Sequence, residues 1–231
     1  MGWFINFISS SLGKKFIMSL TGIFLITFLL VHLIGNLQLL VSDDGEAFNL
    51  YADFMTSNPL IKFTSYGLYF FILLHAVLGI VLWSQNKKAA TGLNRYAVNN
   101  TKAVNTNASV AKNMAALGTI ILIFLIIHMY QFWFRMKIGD VPDVVYEGAA
   151  VADLYALVSV AFVDLKFVIF YVACMFFLAL HLRHGFQSSF QTLGLNHKKY
   201  TPLIQFLGLA YSILIPLGFA IIPLYFFVVH S

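Results

Sequence analysis

Residues 16–41 read FIMSLTGIFLITFLLVHLIGNLQLLV, an apolar run without one charged side chain. As a helix rising 1.5 Å per residue it would extend about 39 Å, more than the roughly 30 Å of hydrocarbon in a bilayer. Lys14 and Lys15 precede it, and Asp43 and Asp44 follow. The run is too long for a signal-peptide core and is not followed by a small-residue cleavage site, so it is read as a membrane span. One ionisable residue, His32, lies inside it.

Four further apolar runs follow, at 63–84, 114–134, 160–185 and 203–229. The start of the fourth is ambiguous, because 154–163 is also apolar before Asp164 and Lys166. The fifth carries Pro216 and Pro223, which membrane helices tolerate and which are predicted to kink it. Of the 231 residues, 60% are hydrophobic and 10% charged, against about 45–50% apolar and about 25% charged in soluble domains. That excludes an ordinary soluble enzyme, a disordered chain and a nucleic-acid binder. Five spans use roughly 100 residues and leave short loops, so residues 1–231 are read as one transmembrane domain. The fold class is all-α and integral to the membrane.

Charge gives a direction. The N-terminal segment, the loop from 85 to 113 and the loop from 186 to 202 with its adjoining helix end hold Lys14, Lys15, Lys87, Lys88, Arg95, Lys102, Lys112, Arg183, Lys198 and Lys199, and no acid. The other side holds all nine acids with only Lys62, Arg135, Lys137 and Lys166. The balance of +10 against −5 gives the chain's +5. The positive-inside rule places the N-terminus in the cytoplasm and the C-terminus outside.

The single cysteine, Cys174, lies in an apolar run. One thiol cannot hold an iron–sulfur cluster, and no Cys-x-x-Cys-His is present for covalent haem. Cys174 reads as a small core residue, and any redox cofactor must be held by His or Met.

Four histidines lie within spans, one in each of the first four: His32, His75, His128 and His181. Intramembrane ionisable residues are costly and mark functional sites. Counted from the nearest acid-side charge, His32 lies roughly 16 Å deep, His128 roughly 10 Å, His75 roughly 20 Å and His181 roughly 22 Å. They form two layers, His32 with His128 and His75 with His181. Glycine spacing repeats the grouping. Gly22 and Gly118 precede His32 and His128 by ten residues, whereas Gly79 and Gly185 follow His75 and His181 by four. A glycine lets a flat macrocycle approach the backbone. Two imidazoles at one depth on neighbouring helices describe a bis-histidine haem, whose iron has no open position and carries electrons. A zinc or copper site would need three or four ligands at one depth. The first four spans are therefore expected to form a haem-binding bundle, with the fifth peripheral. His184, one turn beyond His181, is an alternative ligand, or with Arg183 a partner for a haem propionate. His197 and His230 lie in a basic loop and at the chain's end.

The motifs Phe28-x3-His32-x2-Gly35-Asn36-Leu37, Leu74-His75-Ala76-x2-Gly79, His128-Met129-Tyr130 and His181-x3-Gly185 resemble the cytochrome b membrane anchor of succinate:quinone oxidoreductases, in the single-chain, five-helix, dihaem form also found in fumarate reductases. The likeness extends over essentially the whole chain in span number, loop size and histidine placement. It implies two b haems, a distal one on His32 and His128 and a proximal one on His75 and His181. It also implies a flavoprotein and an iron–sulfur subunit on the cytoplasmic face of a bacterial plasma membrane, and a quinone, usually menaquinone, as acceptor. The chain would be a subunit of an oxidoreductase with no dicarboxylate chemistry of its own. Some fumarate reductase relatives carry a proton-relaying acid in the fourth helix near its haem ligand; here Ala179-Leu180 precede His181, and no acid follows Lys166 within the span. Outer-side candidates for the quinone are Asn36, Gln38, Glu46, Tyr51, Asp53 and Gln131, since quinone chemistry needs a proton donor or acceptor. Two other readings stand beside this one: a dihaem cytochrome of fumarate reductase, a hydrogenase or a formate dehydrogenase, and a small transporter whose histidines handle protons or metal.

Overall fold

The computed structural model describes residues 2–91, 113–139, 141–146 and 148–230. These are mostly helical: α1 (Trp3–Ser9), α2 (Ser11–Asn36), α3 (Glu46–Ser57), α4 (Pro59–Thr91), α5 (Met114–His128), α6 (Arg135–Ile138), α7 (Leu154–Val163), α8 (Leu165–Thr192) and α9 (Thr201–His230). A 3₁₀ turn, Leu37–Leu40, prolongs α2, and a π-helical turn, Met129–Phe134, joins α5 to α6. Among the described residues, five stretches are long and apolar enough to cross a membrane: Ser11–Leu40, Pro59–Ala89, Met114–Ile138, Leu165–Thr192 and Thr201–Val229. Arg95, Lys102, Lys112, Asp140 and Glu147, which enter the charge count, and the side chain of His230 lie outside the described residues.

The spans outrun the apolar runs because their caps are polar and lie beyond them. The Ser10 hydroxyl accepts from the Gly13 amide at 3.0 Å and opens α2. Asn58 Oδ1 accepts from Leu60 and Ile61 at 2.9 and 3.3 Å, with Pro59 in the first helical position. The fourth span begins at Leu165, not near 160. Asp164 takes an extended conformation, ends α7, and caps α8 by accepting from the Lys166 amide at 2.9 Å. The apolar residues 154–163 form the separate helix α7.

The all-α reading takes one amendment. Strands β1 (Asp143–Tyr146) and β2 (Ala149–Ala152) pair antiparallel, with Asp143 opposite Ala152 and Tyr146 opposite Ala149. With α3 and α7 they form a cap at the acid-bearing end of the bundle. Its centre is Asn49, 1% exposed. Asn49 Nδ2 donates to Tyr146 Oη at 3.1 Å and to Asp153 Oδ1 at 3.0 Å, and its carbonyl accepts from the Tyr155 amide at 2.9 Å. One residue thus ties α3, the hairpin and the start of α7 together. Before α3 the chain turns at Gly45 (φ +86°), where the Tyr155 ring lies against the backbone and leaves no room for a Cβ.

The core follows α8 and α9. Val168, Tyr171, Met175, Leu178 and Leu182 recur at alternating spacings of three and four, which puts them on one face of α8. Ser212, Ile215, Ala220, Ile222 and Phe226 bury the facing side of α9, and Pro216 and Pro223 are buried with them. The Tyr211 hydroxyl donates to the Ile26 carbonyl at 2.5 Å and ties α9 to α2. The fifth span is therefore not peripheral. Its inward-facing side chains and prolines make it part of the packed interior, and Phe219 lies against the first span's histidine, with ring centroids 5.5 Å apart.

Candidate functional site

The four span histidines meet in two pairs. His32 of α2 and His128 at the end of α5 stand with ring centroids 5.9 Å apart and ring planes at 82°. His75 of α4 and His181 of α8 stand 6.4 Å apart at 69°. Two metal–imidazole bonds of about 2 Å in line would put ring centroids about 6 Å apart, close to the spacing of either pair. Among the described residues no three His, Cys, Asp or Glu side chains converge as a metal cluster would require.

Aromatic rings surround the outer pair, the one nearer the acid-bearing end. Phe28 stacks on His32 at 5.2 Å and 15°, and Phe124 on His128 at 5.6 Å and 25°. Phe219 and Phe132 complete the wall. Each stacking ring lies one helical turn before its histidine, where residues four apart are surface neighbours. The spacing was legible in the sequence and extends further: Phe71-x3-His75 and Phe177-x3-His181 repeat it, as does Phe226-x3-His230.

Polar partners reach Nδ1 of three of the rings. Thr21 Oγ1 lies 3.1 Å from His75 Nδ1. Tyr171 Oη lies 3.4 Å from His128 Nδ1 and donates to Gln131 Oε1 at 2.6 Å. Asn36 Nδ2 lies 3.2 Å from His32 Nδ1 and donates to the His32 carbonyl at 2.7 Å. Among the described residues, buried His181 Nδ1 has no hydrogen-bond partner. Thr21 and Tyr171 escaped the sequence reading. Tyr171 precedes His181 by ten residues, the same offset that separates Gly22 from His32 and Gly118 from His128, and that offset was the available signal.

The glycines serve the opposite pair from the one their spacing names. A Cβ at Gly22 would lie 3.5 Å from His75 Cε1 and 3.5 Å from Ser189 Oγ, and one at Gly118 would lie 3.9 Å from His181 Cε1. Ten residues span about 15 Å of helix, which carries each glycine from its own histidine's level to the inner one. Gly79 faces Met18, and among the described residues none lies within 4 Å of where a Cβ on Gly185 would sit.

The remaining candidates separate. Asn36 touches His32, Gln131 reaches Tyr171 beside His128, and Tyr51 lies against the Gly35 backbone one residue from Asn36. Burial pushes the Tyr51 phenol above its ordinary value. No hydrogen bond among the described residues joins Gln38, Glu46 or Asp53 to either pair; Asp53 is exposed, and Gln38 and Glu46 are half-buried. At the basic end His184 is half-buried and Arg183 exposed. It is the His181 ring, not that of His184, that stands against His75.

Comparisons with protein-family models, with curated proteins and with solved structures return no match.

Proposed function

We propose that this chain is a dihaem cytochrome b anchor. On this reading it holds one b haem between His32 and His128 and another between His75 and His181, and it joins a succinate dehydrogenase to a quinone. The observation that carries the reading is the meeting of four span histidines as two pairs, 5.9 and 6.4 Å between ring centroids. The donor set fits the group: two imidazoles per level, a buried His181 Nδ1 awaiting a partner, and helices that present Gly22 and Gly118 beside the inner rings. When bound, such a haem would supply one-electron transfer, with His32, His128, His75 and His181 holding the two groups.

The chain's own residues hold, orient and insulate. Phe28, Phe124, Phe132 and Phe219 exclude water around the outer pair. Arg183 and His184 offer charge-assisted partners to propionates at the basic end. That end, with the N-terminus in the cytoplasm of a bacterial plasma membrane, docks a flavoprotein and an iron–sulfur subunit. The quinone, menaquinone in this reading, binds at the acid-bearing end, where Asn36, Tyr51 and Gln131 lie nearest the outer pair.

Purification from the membrane with a pyridine haemochrome assay tests the proposal. The expected result is two b haems per chain, co-purifying with a flavoprotein and an iron–sulfur protein. His32→Ala or His128→Ala removes one haem and keeps the other, and so does His75→Ala or His181→Ala. A folded, inserted chain without haem bands refutes the proposal and favours a transporter. Haem with hydrogenase or formate dehydrogenase subunits keeps the cytochrome and replaces the dehydrogenase.

A further inference from the structure

We infer that Thr21 and Tyr171 are positioning residues, each fixing which nitrogen of one imidazole per pair is free to bind a metal. The inference rests on the paired-histidine reading above and adds to it the hydroxyls that set the rings. A hydroxyl has one proton to give and two lone pairs to accept with. The Thr21 hydroxyl directs its proton at the Ile17 and Met18 carbonyls, each 3.0 Å away. Toward His75, 3.1 Å off, its oxygen can then only accept. The proton of His75 therefore sits on Nδ1, and Nε2 carries the lone pair.

Tyr171 does the same in the other pair. Its proton goes to Gln131 Oε1 at 2.6 Å, so its oxygen accepts from His128 Nδ1 at 3.4 Å. His128 Nε2 is left as the free base. Packing fixes Tyr171 in this position. It is 6% exposed and lies edge-on to Phe124 and Phe162, with centroids at 5.1 and 5.0 Å. The π-helical turn that follows His128 contains Gln131, and such turns recur where a helix must re-aim a functional side chain.

The second ring of each pair lacks this arrangement. Asn36 donates to His32 Nδ1, because the same amide nitrogen also reaches the His32 carbonyl. That contact places the His32 proton on Nε2. His181 Nδ1 has no partner among the described residues. Each pair therefore combines one imidazole preset as a ligand with one that must adjust as metal binds. Hydrogen bonds from the distal nitrogen orient a ligating imidazole and raise its basicity, and their loss costs about 10–100-fold in metal affinity.

The test uses the full chain carrying Thr21→Val, Thr21→Ser or Tyr171→Phe, in complex with whatever soluble subunits it binds. The readouts are haem retained per chain under dilution and the midpoint potential of each haem. Thr21→Val is expected to loosen only the haem of His75 and His181, and Tyr171→Phe only that of His32 and His128. The loss is about 10–100-fold. The midpoint of the affected haem rises, because a less basic ligand favours ferric iron less. Thr21→Ser restores wild-type behaviour. Unchanged potentials and retention in folded Thr21→Val and Tyr171→Phe overturn the inference, as do equal changes at both haems. A wild-type chain with no haem overturns the haem assignment instead, and the two failures are told apart by the wild-type count.

Discussion

Replacing Gly22 with alanine should make the empty protein more stable and its haem-loaded form poorer. A Cβ there meets His75 Cε1 and Ser189 Oγ at 3.5 Å and the next atom, His75 Nδ1, at 4.0 Å. These are ordinary van der Waals distances, so the empty bundle accepts the methyl group without displacement. Glycine inside a helix costs about 0.8–1 kcal/mol relative to alanine, and tight membrane packing reduces that difference. Gly22→Ala is thus expected to raise the stability of the haem-free chain by up to about 1 kcal/mol. A macrocycle between His75 and His181 would compete with the methyl for the same space, so the variant should lose the inner haem and keep the outer one. Gly118→Ala, whose Cβ would lie 3.9 Å from His181 Cε1, should act in the same direction with a smaller effect. The assay pairs denaturant titration of the haem-free protein in detergent with a haem count and redox titration of the loaded protein. Full retention of both haems with unchanged potentials in Gly22→Ala and Gly118→Ala would refute the glycine argument. So would a haem-free variant that is less stable than wild type, because the distances around Gly22 leave no clash to destabilise it.

Two further outcomes follow from the cap. Asn49→Leu removes three hydrogen bonds at a position 1% exposed. At about 1 kcal/mol each it should cost about 3 kcal/mol, read as a lower denaturation midpoint and faster protease cleavage within 141–153; an unchanged midpoint contradicts the role given to Asn49. Burial raises the Tyr155 phenol above its ordinary 10, with Tyr225, Asp44 and Asp43 adding to the effect. Its folded value thus exceeds its unfolded one. The stability it contributes is complete below the unfolded value and is lost as pH rises through the folded one. Denaturation midpoints compared at pH 9 and pH 11 should fall less in Tyr155→Phe than in wild type, and equal slopes would reject the assignment.

Much of this architecture was legible along one dimension. Uninterrupted apolar runs gave five spans because a bilayer imposes a length on any helix that crosses it. The caps Ser10, Asn58 and Asp164 were present as letters, yet the apolar count stopped short of them, because a cap is polar and lies outside the run it serves. The fourth span shows this best: Asp164 cuts a continuous apolar stretch into α7 and α8, which hydropathy alone cannot decide.

Depth is also a one-dimensional quantity. Residue number times helical rise placed His32 level with His128 and His75 level with His181, and those are the rings that lie together. Rotation and lateral packing are not one-dimensional. That Tyr171 rather than another polar residue reaches His128, and that Gly22 lies beside His75 rather than His32, depend on how helices turn toward one another. The same is true of α9, whose composition resembles any lipid-facing span while Phe226 is fully buried and Phe219 touches His32. In the hydrocarbon a leucine-rich surface is equally content against lipid or protein. The sequence by itself therefore determined how many helices are long and apolar enough to cross a membrane and which histidines share a level along them. Only tertiary packing decided which faces meet, because that choice rests on shape and on hydrogen bonds between helices and not on apolarity.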